Sequence, residues 1–325
     1  MNNPATATDN TPLISVTVTV YNREDTIGEC LRYLSAQEGV RLDVTVVDDG
    51  STDRSPGIAA EFGELFDGFT LLVNEANKGQ EYGLNTGFKR ATGEFVLTID
   101  SDYYLKNKTA LAEAVGFLQS QPDDVIALWG SIYNVGQRYW TMLRHLSMLA
   151  GSQKKEIREL DTFSTNIALF RGDLLAEANI LMNESLDRCA DVEFAGRIID
   201  AGYRAIYFPR LRVWHDHPVE GFGGYLDFLR GYAAGYVESR LSTPGTHFNF
   251  VRSMPLFLLL LPLLPAGTTV RKIQNGVEPA VAKYYPLLIP GLFLGQIYFW
   301  YRVSRELFNT NTDDMVELSH ESIHE

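Results

Sequence analysis

Phe95-Val96-Leu97-Thr98-Ile99-Asp100-Ser101-Asp102 is the stretch on which the reading of this chain turns. Five residues rich in β-branched and aromatic side chains predict a buried strand. Two carboxylates then stand at its carboxyl end, where open α/β sheets bind their ligands. A carboxylate or two, together with substrate phosphates, is also the usual way that Mg²⁺ or Mn²⁺ is held. The triplet therefore points to an enzyme that handles a nucleotide diphosphate. Alone it is weak, because acidic pairs also cap strands and begin helices.

Outward from this strand the pattern repeats. Leu13–Tyr21, Leu42–Val47 and Phe69–Val73 predict strands, with helices over Asp25–Ser35, Ser55–Phe66 and Tyr82–Ala91 between them. A helix over Lys106–Gln121 and a strand over Val125–Trp129 follow, then a mixed, polar stretch, Gly136–Phe163. Strand and helix alternating at this spacing imply an α/β protein with a mostly parallel sheet. No G-x-G-x-x-G or P-loop follows the first strand, which ends Val20-Tyr21-Asn22-Arg23-Glu24. A glycine turn holding NAD or ATP is therefore not expected.

The 325 residues suffice for one large domain with an appendage. A formal charge of −13 argues against non-specific nucleic-acid binding. It also means that a bound pyrophosphate needs a local cation. Cys30 and Cys189 form neither a metal spacing nor a disulfide framework, which fits a reducing compartment. The polar opening MNNPATATDNTP lacks a charged-then-apolar leader pattern. The expected location is the cytoplasmic face of the cell membrane.

The second strand ends Val47-Asp48-Asp49-Gly50-Ser51-Thr52-Asp53. A carboxylate there can accept the ring N–H of a uracil, and two adjacent carboxylates exceed what a helix cap requires. With this motif the chain resembles the family 2 glycosyltransferases of the GT-A fold. The segments VTVYNRE, VVDDGSTD, NKGQEYGLNTG (77–87) and IDSD occur in that family's order and spacing. The resemblance covers about Pro12 to Arg240 and implies a GT-A catalytic domain. It implies that Thr19, Tyr21 and Asp49 grip the nucleoside, that Asp102 binds the metal, and that Asp100, with Ser101, supports the ribose or the metal shell. Gly83 and Leu84 stand where the family often has Ala-Arg, so a cationic contribution from that helix is not expected.

Downstream, Thr165-Asn166-Ile167-Ala168-Leu169-Phe170-Arg171 resembles the family's sugar-pocket segment, which makes Asn166 a donor-site candidate. Asp191-Val192-Glu193-Phe194-Ala195-Gly196-Arg197 resembles its acidic motif, whose first carboxylate is the catalytic base. Residues i and i+2 of a helix do not share a face. Asp191 is the candidate base, and Glu193 either braces the helix or meets the acceptor. Val213-Trp214-His215-Asp216-His217-Pro218 follows, and the resemblance implies a late histidine among the metal ligands, His215 first and His217 as the alternate.

The implied reaction is inverting transfer of one sugar from a nucleotide-diphospho-sugar, with a uridine preference, to a hydroxyl acceptor with the help of Mn²⁺ or Mg²⁺. Three other readings compete. A nucleotidylyltransferase would carry a glycine- and lysine-rich loop after the first strand. A donor-binding protein without activity would not need the full set Asp49, Asp102, Asp191 and His215. A processive synthase would show Q-x-x-R-W downstream of Asp191, and none is present.

Composition shifts near Phe250. Residues 254–264 read MPLFLLLLPLL and 285–301 read YPLLIPGLFLGQIYFWY. The first is short for a membrane span of about 20 residues, and the second contains two prolines. The favoured expectation is segments that dip into or lie along the cytoplasmic leaflet, with Arg252, Arg302 and Arg305 at the headgroups. The alternative is a helical subdomain packed on the enzyme or on a second copy, as in a homodimer. The expected division is a polar tail (1–11), the catalytic domain (12–245), a membrane-associated helical region (246–309) and an acidic disordered tail (310–325). An apolar appendage makes a polyprenyl-phosphate-linked glycan the favoured acceptor.

Overall fold

The computed structural model describes residues 11–134, 138–148, 154–186, 189–215, 219–242, 254–275 and 284–309. Residues 1–10 and 310–325 of the expected tails, Arg252 and His217 lie outside the described residues.

Nine strands are found among the described residues: β1 (Leu13–Val20), β2 (Arg41–Asp48), β3 (Gly68–Val73), β4 (Phe95–Asp100), β5 (Tyr103–Tyr104), β6 (Val125–Asn134), β7 (Arg158–Leu160), β8 (Ile167–Arg171) and β9 (Arg204–His215). They join one sheet in the order β3-β2-β1-β4-β8-β6-β9-β5, with β7 paired to β9. β3, β2, β1 and β4 are mutually parallel. β8 then runs antiparallel to β4 and β6, and β9 antiparallel to β5 and β7. Ile14, Val16, Val18, Val44, Val46, Leu97 and Ile99 are fully buried, as expected of strands covered on both faces.

The helices are α1 (Ile27–Ser35), α2 (Ser55–Ala60), α3 (Gln80–Arg90), α4 (Ala110–Gln119), α5 (Tyr139–Met148), α6 (Gly172–Ala178), α7 (Ala190–Asp200), α8 (Gly221–Ser242), α9 (Met254–Leu260), α10 (Leu264–Asn275) and α11 (Tyr285–Asn309). The helix expected over Ser55–Phe66 stops at Ala60, and a single 3₁₀ turn covers Gly63–Leu65. Gly57 and Gly63 make a continuous helix there expensive in backbone entropy. The stretch expected to be mixed and polar contains α5 and β7. Met142, Leu143 and Leu146 of α5 are buried at helical spacing.

The chain divides into two compact units. One comprises Met1–Ser131, Glu156–Met182 and Ile198–His215; the other comprises Ile132–Lys155, Asn183–Arg197 and Asp216–Glu325. In the second unit, Leu288 and Leu292 of α11 pack with Leu143 and Leu146 of α5 and with Tyr225 and Leu229 of α8. Farther along, Phe299, Trp300, Val303 and Leu307 pack with Ala233, Val237 and Phe257. No helix among the described residues is long and apolar enough to cross a membrane.

Candidate active site

The parallel strands of the first unit end side by side, and the candidate donor residues collect at those ends. Thr19 pairs in register with Val47 on one side and Asp100 on the other. Tyr21, one residue beyond β1, is exposed. The loops after β1 and β2 are laced together. Ser51 Oγ accepts from Asn22 N at 2.9 Å, and Asn22 Oδ1 accepts from Thr52 N at 2.8 Å. Ser55 Oγ accepts from Arg23 N at 2.7 Å, Asp53 Oδ2 from Glu24 N at 3.0 Å, and Glu24 Oε2 from Arg54 N at 3.1 Å. The YNRE and GSTD segments are therefore partners in one structure.

Asp49 is buried and holds the loop that follows β3. Its Oδ1 accepts from Asn74 Nδ2 at 3.0 Å and Lys78 N at 2.8 Å, and its Oδ2 accepts from Gly79 N at 2.9 Å. An ionised carboxylate has about four acceptor sites, so capacity remains for a ligand donor. Gly50 and Gly79 both have positive φ, +77° and +93°. A Cβ on Gly50 would lie 2.9 Å from the Ala76 backbone, so glycine is required there on both counts.

Gly79 precedes α3, whose first residue, Gln80, donates from Nε2 to Asp100 Oδ1 at 2.9 Å. Gly83 has a steric reason, since an added Cβ would meet Thr19 Cγ2 at 2.7 Å. Asn85, also on α3, clamps Met182 both ways: Nδ2 donates to its carbonyl at 3.0 Å, and Oδ1 accepts from its N–H at 2.7 Å.

Ser101 and Asp102 are buried just past β4. His215, at the end of β9, is buried as well, and its Nε2 lies 3.5 Å from Asp102 Oδ2. Two antiparallel bridges join β5 to β9 and set this geometry: Tyr103 pairs with His215 and Tyr104 with Trp214. The structure thus brings the two expected metal ligands together. A carboxylate and an imidazole beside phosphate oxygens suit Mn²⁺ better than Mg²⁺, which takes oxygen ligands. No cluster of three or more His, Cys, Asp or Glu that could hold a metal is found among the described residues.

Asn166 is buried with both ends of its amide engaged. Its Oδ1 accepts from Trp129 Nε1 at 3.2 Å, and its Nδ2 donates to Tyr103 Oη at 3.0 Å. Arg171, in the same segment, ties Val125, Leu118 and Gln121 carbonyls at 2.7–3.0 Å and so closes the C-terminus of α4. Behind the acidic strand end sits Cys30. Burial raises its thiol pKa well above the ordinary value, and Asp102 and Asp100 push it the same way. This thiol is inert packing rather than a nucleophile.

Asp191 and Glu193 stand in the first turn of α7, in the second unit. Asp191 is half-buried. Glu193 is buried, and both its oxygens receive the Arg197 guanidinium, at 2.6 and 2.8 Å. The i, i+4 pair occupies Glu193 with bracing its own helix.

Comparisons with known proteins give this fold a family. The model of glycosyl transferase family 2 matches residues 15–175. That stretch is a glycosyl transferase family 2 domain. A curated relative, the glycosyltransferase AglE of Haloferax volcanii, is 26% identical over 226 residues, 67% of this chain and 71% of that one. Alignments to two other curated glycosyltransferases span only 28% and 51% of their lengths. Among solved structures, the mannosyltransferase PcManGT from Pyrobaculum calidifontis, in complex with GDP-Man and Mn²⁺, superposes with a TM-score of 0.60 at 23% identity. That match covers 94% of this chain and 88% of the other. S. aureus TarS 1–349 in complex with UDP-GlcNAc gives 0.55 at 23% identity, with 92% of each chain covered. The expected GT-A fold is therefore the fold of this chain, and the protein is a glycosyltransferase.

Proposed function

We propose that this glycosyltransferase moves one sugar from a nucleotide-diphospho-sugar to a hydroxyl acceptor, with inversion. The observation that carries this reading is the convergence of Asp49, Asp100, Asp102 and His215 at neighbouring strand ends of one unit. Tyr21, Thr19 and Asp49 form the nucleoside end, with the spare acceptor capacity of Asp49 suited to the ring N–H of a uracil. Asp100, held by Gln80, takes the ribose. Asp102 and His215 would hold Mn²⁺ or Mg²⁺, which when bound would neutralise charge on the diphosphate.

Asp191 acts as the base. It takes the proton from the acceptor hydroxyl as that oxygen attacks the anomeric carbon. The bond from the anomeric carbon to the phosphate oxygen breaks on the opposite face, and the nucleoside diphosphate leaves with the electron pair. Glu193 is committed to Arg197, which leaves a single carboxylate on this turn for proton transfer. One base and one displacement suit inversion. The polyprenyl-phosphate-linked glycan remains the favoured acceptor, supported by the apolar helices of the second unit.

The deciding experiment incubates purified protein and Mn²⁺ with a panel of nucleotide sugars and measures released nucleoside diphosphate. Release from one or a few uridine donors, abolished by chelator, is the expected result. Equal release from all donors, or full release in chelator, would contradict it.

A further inference from the structure

A helix that buries one stripe in a soluble protein ordinarily presents polar residues on the other. Helices α9 and α11 do not. The inner side of α11 is accounted for by Leu288, Leu292, Phe299, Trp300, Val303 and Leu307 in the two cores described above. Its outer side carries Leu287, Leu294, Ile297, Tyr301 and Phe308, spaced at three, four or seven residues along one stripe, and all are exposed. On α9 and just beyond it, Leu256, Leu258, Leu259 and Leu263 are exposed, Leu259 at 73% and Leu263 at 68%. Single exposed apolar residues are unremarkable, whereas a concentration on α9 and its exit and on α11, with Val270 of α10 exposed between them, marks a docking surface.

Charge selects the occupant. The chain carries −13, yet these three helices hold Arg271, Lys272, Arg302 and Arg305 against one acid, Glu306. Glu306 is taken by Arg302 at 2.7 Å. Arg271 and Arg305 are exposed, and Arg305 continues the outer stripe of α11 between Tyr301 and Phe308. Arginine beside exposed leucine and tyrosine suits a surface that is apolar a little way in and anionic at its edge. A second copy pairing through this same face would set these arginines against their own equivalents, with no acid to meet them.

We propose that α9, α10 and α11 dock the second unit on an anionic lipid bilayer, lying along it with these leucines in the acyl boundary and Arg271 and Arg305 at the headgroups. This surface stands independently of the catalytic assignment.

The test is co-sedimentation of the full-length protein with vesicles of phosphatidylglycerol and phosphatidylcholine, against vesicles of phosphatidylcholine alone. Binding to the anionic vesicles is expected, weakened about fivefold by Arg305→Ala. Leu259→Glu/Leu263→Glu and Leu294→Glu/Ile297→Glu, all at exposed positions that leave the cores intact, should bind at least tenfold more weakly. Leu65→Glu, an exposed leucine of the first unit, should bind as the parent does. Retention in the supernatant with both vesicle types, or undiminished binding by the glutamate variants, would overturn the proposal. So would a dimer in detergent-free buffer, measured by light scattering, that the same glutamate variants dissociate, since the face would then belong to a second copy.

Discussion

Tyr103 and His215 stand directly opposite each other across the β5–β9 ladder, ring edge to ring face, with centroids 4.8 Å apart. The phenol is fixed in turn by Asn166, and Asn166 by Trp129. Four residues from four strands or strand ends thus set the plane of one imidazole. Tyr103→Phe keeps the ring contact and removes the acceptor for Asn166 Nδ2. It should lower stability by about 1–3 kcal/mol, the usual effect of leaving a buried donor unmatched, and change Mn²⁺ affinity little. Tyr103→Leu removes the ring as well and should weaken Mn²⁺ binding. Urea unfolding and Mn²⁺ titration by electron paramagnetic resonance separate the two effects. Equal Mn²⁺ affinity in both variants would show that the ring does not orient His215.

Asp102→Asn should fold, because the amide has nearly the same shape, and should lose transfer by a factor on the order of 10². The amide cannot supply an anionic ligand. Saturating Mn²⁺ should fail to restore the rate. Recovery of parental turnover at high Mn²⁺ would reduce Asp102 to an aid in affinity.

Asp191→Asn should slow turnover by a factor on the order of 10² or more while donor affinity stays near that of the parent. Isothermal titration with the donor, beside steady-state rates, distinguishes the base from a donor contact. Collapsed donor affinity with unchanged turnover of bound donor would place Asp191 in the donor site.

For Asp49 the expected effects are two. Asp49→Ala strips three hydrogen bonds from the 74–79 loop, two of them from backbone N–H groups. Stability should fall by about 1–3 kcal/mol, and donor binding should weaken in the same variant. Urea denaturation with and without uridine diphosphate tests this. A variant that lost affinity at unchanged stability would restrict Asp49 to the ligand.

Lys272 offers a pH signature. Burial, aided by the neighbouring Arg271, pushes its ammonium down to about 8 from an ordinary 10.5. Between those values the unfolded chain holds a proton that the folded chain has released. From this group, stability therefore rises with pH across the window and is lowest below about 8. Lys272→Met should flatten that rise. Unfolding free energies at pH 7.5 and 9.5 for parent and variant provide the comparison, and parallel slopes would refute the assignment.

Much of this architecture was legible in the sequence, and for physical reasons. β1, β2 and β4 are largely buried runs rich in β-branched residues, and β3 is a half-buried one, so expected and observed limits differ by a residue or so. Strand-end carboxylates stood out because a buried strand has no structural need of them. What escaped was tertiary. The pairing of Tyr103 with His215 joins residues far apart in the chain, and neither has a local signal for it. Asn166 was read as a donor-site residue, and the hold of Trp129 and Tyr103 on its amide shows only in the packed sheet. Asp49 was read as a nucleoside contact, and its hold on the 74–79 loop depends on a turn that returns to it from β3. Helix α5 went unnoticed among polar neighbours because its buried face acquires meaning only beside α8 and α11.

The lacing between Asn22–Glu24 and Ser51–Ser55 bears on how this enzyme can be rebuilt. Each loop supplies what the other lacks: side-chain oxygens of 51, 53 and 55 receive backbone N–H groups of 22–24, and side chains of Asn22 and Glu24 return the arrangement. The two segments therefore form one exchangeable cassette. A chimera that imports the loop after β1 from a relative replaces the Asn22 and Glu24 acceptors while the Thr52 and Arg54 N–H groups that they receive stay in place, and the mismatch would fall between the two loops. Donor specificity is best transplanted with both loops together, taken from the same parent.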